Sequence, residues 1–159
     1  MSRFFEEIGI GDELDLGRFT FTSEHIKRFA SQYDPQPFHL DENAAKQSHF
    51  GALCASGWQT ASVWMRLFVL YRQKEALALE KATQPIAQMG PGLGVKNMRW
   101  YKPVYAGDTL FYFTTFLAKR PSESRPGWGL VTARNWAKNQ DGVVVFECET
   151  TALVQKKIG

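Results

Sequence analysis

The segment Gly57-Trp58-Gln59-Thr60-Ala61-Ser62-Val63-Trp64-Met65-Arg66-Leu67-Phe68-Val69-Leu70, running on to Lys81, settles the architecture. The longest helix of the chain is predicted to begin at Gly57 or Trp58 and to end at about Lys81. Val63, Trp64, Met65, Leu67, Phe68, Val69 and Leu70 make its first half apolar almost all round, the pattern of a helix buried on most sides. Arg72, Lys74, Glu75, Glu80 and Lys81 return its second half to solvent.

Upstream of this helix, Glu13 to Phe21 alternates loosely and predicts a strand, entered through Gly11-Asp12. Thr22 or Ser23 then caps a short helix whose apolar face is Ile26, Phe29, Ala30 and Tyr33, with Asp34 at its exit. A second helical turn is expected over Glu42 to Gln47, followed by a loop of small residues from Phe50 to Gly57. Downstream, Thr83 to Gly94 carries Pro85, Pro91 and three glycines and reads as a loop. Everything after it reads as β. Val95 to Tyr101 is a strand, Pro103 to Asp108 a turn, and Thr109 to Lys119 a long alternating strand. Trp128 to Lys138 and Val143 to Gln155 pair across the turn Asn139-Gln140-Asp141-Gly142, whose Asp-Gly favours a hairpin. The class is α+β: an antiparallel sheet of about five strands curled round one long central helix, in a single domain over residues 1–159.

The 159 residues suit one domain with its own core, and 44% hydrophobic and 14% aromatic content supply the apolar surface for it. A net charge of +3 with scattered Lys and Arg argues against a nucleic-acid surface. Cys54 and Cys148 stand in no metal-ligand spacing, which fits a reduced intracellular protein. The first seven residues lack the apolar core of a signal peptide, and Val63 to Tyr71, broken by Arg66, is too short to span a bilayer. The expectation is a soluble cytoplasmic protein with neither membrane nor nucleic acid as partner.

Chemistry concentrates in Tyr33-Asp34-Pro35-Gln36-Pro37-Phe38-His39, which sets a carboxylate and an imidazole five residues apart. Two prolines stiffen the link and stop the preceding helix. Such a turn aims two proton-handling groups at one small volume. His25 and His49 are expected to be structural, and His25, His39, Asp34 and Asp41 lack the spacing of a metal site. Trp58, Trp64 and Trp100 are expected to serve as core.

These residues resemble the MaoC-like dehydratases and R-specific enoyl-CoA hydratases, which use the hot-dog fold. Asp34-Pro35-Gln36-Pro37-Phe38-His39 matches that family's Asp-x-Asn-Pro-x-His hallmark. The run from Phe50-Gly51 through Ser56-Gly57 matches the glycine loop that opens its central helix, and Pro103-Val104-Tyr105-Ala106-Gly107-Asp108 matches its Pro-Val-x-x-Gly-Asp turn. The resemblance implies a hydro-lyase acting on trans-2-enoyl thioesters carried by CoA or acyl carrier protein. Asp34 and His39 would grip one water and Gly57 would donate its backbone N–H to the thioester oxygen. Gln36, Ser56 and Trp58 would line the substrate site. No cofactor and no metal is implied. Gln36 departs from the family's Asn, Ser56 from the His of many members, and Met65 falls where some carry a pocket Ser.

Two other readings stay open: a hot-dog thioesterase, in which a carboxylate activates water against the thioester carbonyl, and a non-catalytic acyl-thioester-binding protein. The acid and base together favour the hydratase, since a thioesterase has no need of the imidazole. Open strand edges and the bulky residues Phe111 and Phe113 opposite Tyr112 and Phe116 predict a C2 homodimer, as the resemblance also implies.

Overall fold

Thr22 starts the first helix by accepting a hydrogen bond from the His25 amide at 3.2 Å, and comparable local rules place most of the remaining elements. The structure, a computed structural model, describes residues 2–157. After a short 3-10 turn at Phe5–Glu7 come β1 (Glu13–Thr20), α1 (Ser23–Tyr33), α2 (Pro37–Leu40), α3 (Glu42–Gln47) and α4 (Gly57–Lys81). Then follow β2 (Met89–Trp100), β3 (Thr109–Pro121), β4 (Trp128–Lys138) and β5 (Val144–Gln155). The five strands form one antiparallel sheet in the order β1-β3-β4-β5-β2.

Strict alternation along β3 and β4 sorts their side chains between two faces. Leu110, Tyr112, Thr114 and Phe116 of β3 and Val131, Ala133, Asn135 and Ala137 of β4 are buried. α4 lies on that face and is tied there by two directional bonds. Tyr112 donates its hydroxyl to the Thr60 carbonyl at 3.2 Å, and Trp64 donates its indole N–H to Thr114 Oγ1 at 3.2 Å. Both donors are buried, so losing either partner would strand a polar group in a dry core. On the opposite face, Phe113 and Trp136 stack with ring centroids 4.5 Å apart. Lys138 lies over the Phe113 ring and Arg134 over Trp136. The outward aromatics of β3 thus find partial cover from their own sheet.

Two expectations need correcting. α4 is not buried on most sides: Gln59, Thr60, Val63, Trp64 and Phe68 form one buried stripe, while Met65, Val69 and Leu70 are exposed. An apolar helix surface is buried only where a second layer reaches it, and here the sheet and α1 reach one side. Nor is Thr83 to Gly94 a loop throughout, because β2 begins at Met89. Its glycines and Pro91 are tolerated because β2 is an edge strand paired with β5 alone. The pairing absorbs them through register shifts between Met89 and Gly92 and between Gly92 and Gly94.

The Pro103–Asp108 turn anchors the approach to α4. Ala55 N–H donates to the Val104 carbonyl at 2.7 Å, and Ala106 N–H to the Leu53 carbonyl at 3.0 Å, around an antiparallel bridge of Cys54 with Tyr105. Gly107 stands at φ +98°, a conformation that a residue with a Cβ rarely adopts. Asp108 closes the turn by accepting from Tyr105 N–H at 2.8 Å. Among the described residues no helix is long and apolar enough to cross a membrane.

Leu110 is fully buried beneath α4. Leu110→Ala should lower stability by about 2–5 kcal/mol, measured as a shift of the urea midpoint at unchanged slope.

Candidate active site

α1 ends at Asp34, whose amide still bonds the Ala30 carbonyl while its own backbone leaves the helical region. Pro35 forbids another turn in the same direction. Pro37 occupies the first turn of α2, where a missing N–H costs nothing. This one-turn helix lies inside the segment that the sequence reads as a plain turn, and it folds the chain back. His39 Nε2 is thereby brought to 3.4 Å from Asp34 Oδ2. Asp41 then caps α3, accepting from the amides of Asn43 and Ala44 at 2.9 and 2.8 Å.

The imidazole is buried, and its Nδ1 lies 2.7 Å from the Cys54 carbonyl oxygen. A carbonyl can only accept, so Nδ1 carries a proton. In neutral His39 the bare nitrogen is therefore Nε2, the one that faces Asp34. Two acceptors 3.4 Å apart suit one water, which can give a hydrogen to each.

Asp34 is held on both oxygens. Ser56 donates its hydroxyl to Oδ2 at 2.6 Å, and Gln36 donates its amide N–H to Oδ1 at 2.8 Å. Burial by itself pushes the carboxyl up, yet the bonds from Ser56 and Gln36 and the nearby His39 outweigh it. Asp34 titrates below the usual carboxylate value. The Cys54 thiol, by contrast, is pushed up to about 11 by burial and by the Asp34 charge, so it stays protonated and is no nucleophile.

Gly57 is the first residue of α4, and its N–H has no acceptor among the described residues. It therefore presents a free donor at the positive end of a long helix. Trp100 covers it, donating its indole N–H to the Gly57 carbonyl at 2.9 Å. A Cβ built on Gly57 would stand 2.6 Å from the Trp100 ring, so glycine is required by the neighbour rather than by φ.

Asp34, Gln36, His39, Ser56, Gly57 and Trp58, the six residues singled out in the sequence, all line one cavity of about 350 Å³. Two of the tryptophans expected in the core belong to its wall instead. Trp58 is 57% and Trp100 43% exposed, and they meet edge to face with centroids 5.5 Å apart, whereas Trp64 is buried as expected. Sequence reasoning missed Trp100, Tyr101, Lys102 and the Cys54 carbonyl as parts of the site. The one available signal was the position of Trp100 to Lys102 just before the Pro103 turn. His25 and His49 lie outside this cavity, against Phe19 and Phe50 respectively.

An antiparallel sheet wrapped on one long helix, with an acid–imidazole pair at that helix's N-terminus, defines a protein of hot-dog fold. The family model for the MaoC like domain matches residues 7–126, and the chain belongs to this MaoC-like dehydratase family. A crystal structure of the MaoC-like dehydratase from Rhodospirillum rubrum is similar at 37% identity over 99% of both chains, with a TM-score of 0.81. The protein YdeM of Bacillus subtilis is 29% identical over 95% of this chain and 98% of its own. The unliganded R-hydratase PhaJ1 of Pseudomonas aeruginosa shares the fold at 20% identity and a TM-score of 0.68, over 97% of this chain and 86% of its own.

Gly57→Ala should drive the Trp100 ring off the start of α4 and lower the melting temperature. The double variant Gly57→Ala/Trp100→Ala should recover part of that loss, a coupling visible in a thermal double-mutant cycle.

Proposed function

We propose that the protein hydrates trans-2-enoyl thioesters, carried on CoA or acyl carrier protein, to the 3R-hydroxyacyl form, or runs the reverse dehydration. The observation that carries this reading is the pairing of His39 Nε2 with Asp34 Oδ2 at 3.4 Å, in the cavity that also holds the Gly57 N–H. Family membership and the likeness to a MaoC-like dehydratase support it.

In the forward direction the thioester oxygen accepts from Gly57 N–H, and a water donates to Asp34 and His39. Its oxygen forms the new bond to Cβ while the double-bond pair moves through Cα to leave negative charge on the thioester oxygen. A donor aimed at such an oxygen typically contributes ~2.7–4 kcal/mol to the transition state. The Asp34–His39 pair takes one proton from the attacking water and returns one to Cα, where the enolate pair closes the C–H bond. The sum is one water added, with the pair restored. Because the two groups lie 3.4 Å apart, the proton passes between them without leaving the site. The six-residue constellation calls for no cofactor in this chemistry.

The same reading makes the protein a C2 homodimer. The exposed apolar residues Met65 and Val69 of α4 and Leu93 and Val95 of the edge strand β2 need a cover that one chain does not supply. A second copy placing its β2 beside this one would extend the sheet and enclose both cavities, in the interface class of ~2,000 Å² or more.

With crotonyl-CoA, wild-type protein should bleach the absorbance of the conjugated enoyl group without releasing thiol. Asp34→Asn and His39→Ala should each cut that rate ~10²–10⁴-fold at unchanged circular dichroism. Release of thiol would establish a thioesterase instead, and binding without turnover a carrier or sensor. Light scattering at micromolar concentration should report twice the 18.1 kDa chain mass, and a stable monomer would remove the dimer.

A further inference from the structure

Ser56 is fully buried and caps α4, its Oγ accepting from Trp58 N–H at 3.3 Å. A hydroxyl has one proton to give. The Trp58 amide can only donate and the Asp34 carboxylate can only accept, so the direction of both bonds follows from the chemistry of the partners. Hydrogen bonds run from Trp58 N–H to Ser56 Oγ and from Ser56 O–H to Asp34 Oδ2, the second at 2.6 Å. With its proton committed in this way, Ser56 is not free to donate to a substrate oxygen. The adjoining residue is Gly57, whose N–H is the proposed oxyanion donor.

We propose that Ser56 is a positioning residue: its one hydroxyl locks the catalytic carboxylate to the first turn of the helix that stabilises the oxyanion, fixing the distance between base and oxyanion site. The proposal rests on the hydratase reading. Backbone and side chain of Ser56 divide the task. The peptide bond after Ser56 sets the Gly57 N–H, while the side chain sets Asp34 Oδ2, the oxygen that faces His39. A thioester seated on the Gly57 amide therefore meets a water whose position is set by the same residue, and misplacement of such groups by about 1 Å can cost ~10²-fold. Gln36, the residue before α2, steadies the other carboxylate oxygen and leaves Oδ2 to Ser56. The remaining titratable or charged groups around Asp34 are His39 on α2, Cys54 before α4, and Tyr101 and Lys102 just after β2. Among the described residues, the hydrogen bonds to the Asp34 carboxylate come from Ser56 and Gln36.

The test uses two variants of the full chain. Ser56→Gly removes the donor but keeps a residue that helix starts accept with little loss, and Ser56→Thr keeps the donor. Asp34 is followed by carboxyl-carbon NMR titration and turnover by the pH dependence of kcat and KM on crotonyl-CoA. A hydrogen bond to the charged form lowers a carboxyl pKa, so its removal raises it. In Ser56→Gly the Asp34 midpoint should rise, the acid limb of activity should rise with it, and kcat should fall about 10- to 100-fold with KM changed less than about threefold. Ser56→Thr should keep both midpoint and kcat near wild type. An Asp34 midpoint unmoved by Ser56→Gly, or a Ser56→Gly kcat equal to wild type, would overturn the proposal. Absence of wild-type turnover at every pH would instead remove the hydratase reading, with the NMR midpoints still reporting whether Ser56 holds Asp34.

Discussion

The antiparallel bridge between Cys54 and Tyr105 is the constraint on which the rest of the site depends. It fixes three successive residues ahead of α4 to the Pro103–Asp108 turn, which itself joins β2 to β3. The Cys54 carbonyl then holds Nδ1 of His39, the Ser56 hydroxyl holds Asp34, and Gly57 opens the helix. The short run from Cys54 to Gly57 thereby sets the tautomer of His39, the aim of Asp34 and the free N–H at the start of α4. Groups set by one rigid segment need no reorganisation during reaction, which is the physical basis of electrostatic preorganisation.

Building the candidate site on a helix start makes a demand on the core. α4 must be seated firmly enough that its first turn does not wander, and apolar contact alone is non-directional. The buried polar chain from Trp64 Nε1 to Thr114, on to Asn135 and then to Thr150 supplies direction. Each member is satisfied, so the chain specifies how far along β3 and β4 the helix sits without leaving an orphaned donor. Tyr112 adds a second tie one turn nearer the site, through the Thr60 carbonyl, and its buried phenol is held well above its ordinary pKa by desolvation.

Much of the fold and the site was legible in residues 1–159 because the signals are local. The cap at Thr22, the alternation of β3 and β4, and the Asn139–Gly142 turn each rest on a few adjacent residues. That Asp34 and His39 lie close was legible for the same reason, since both stand in one short run stiffened by two prolines, although the one-turn helix that folds it back was not. The six proposed site residues come from two segments, 34–39 and 56–58, and line one cavity because the Pro103–Asp108 turn pins the chain just ahead of the second. What these motifs could not convey was the role of each side chain once it arrived: Ser56 points at Asp34 and Trp100 lies over Gly57.

By itself, then, the sequence determined the class of fold, the order of its main elements and the nearness of Asp34 to His39, since periodicity, capping and proline stiffness act over one or two turns of chain. Tertiary structure alone decided that β2 starts at Met89, that α4 buries one stripe rather than its whole girth, and that Trp58 and Trp100 wall the cavity. It also decided which His39 nitrogen is bare, through a carbonyl fifteen residues away. These outcomes depend on which distant surface reaches a given residue. An edge strand tolerates Pro91 because no neighbour needs its amide, and an apolar residue is buried only if a second layer lies within contact distance. Neither condition is written in the residues that obey it.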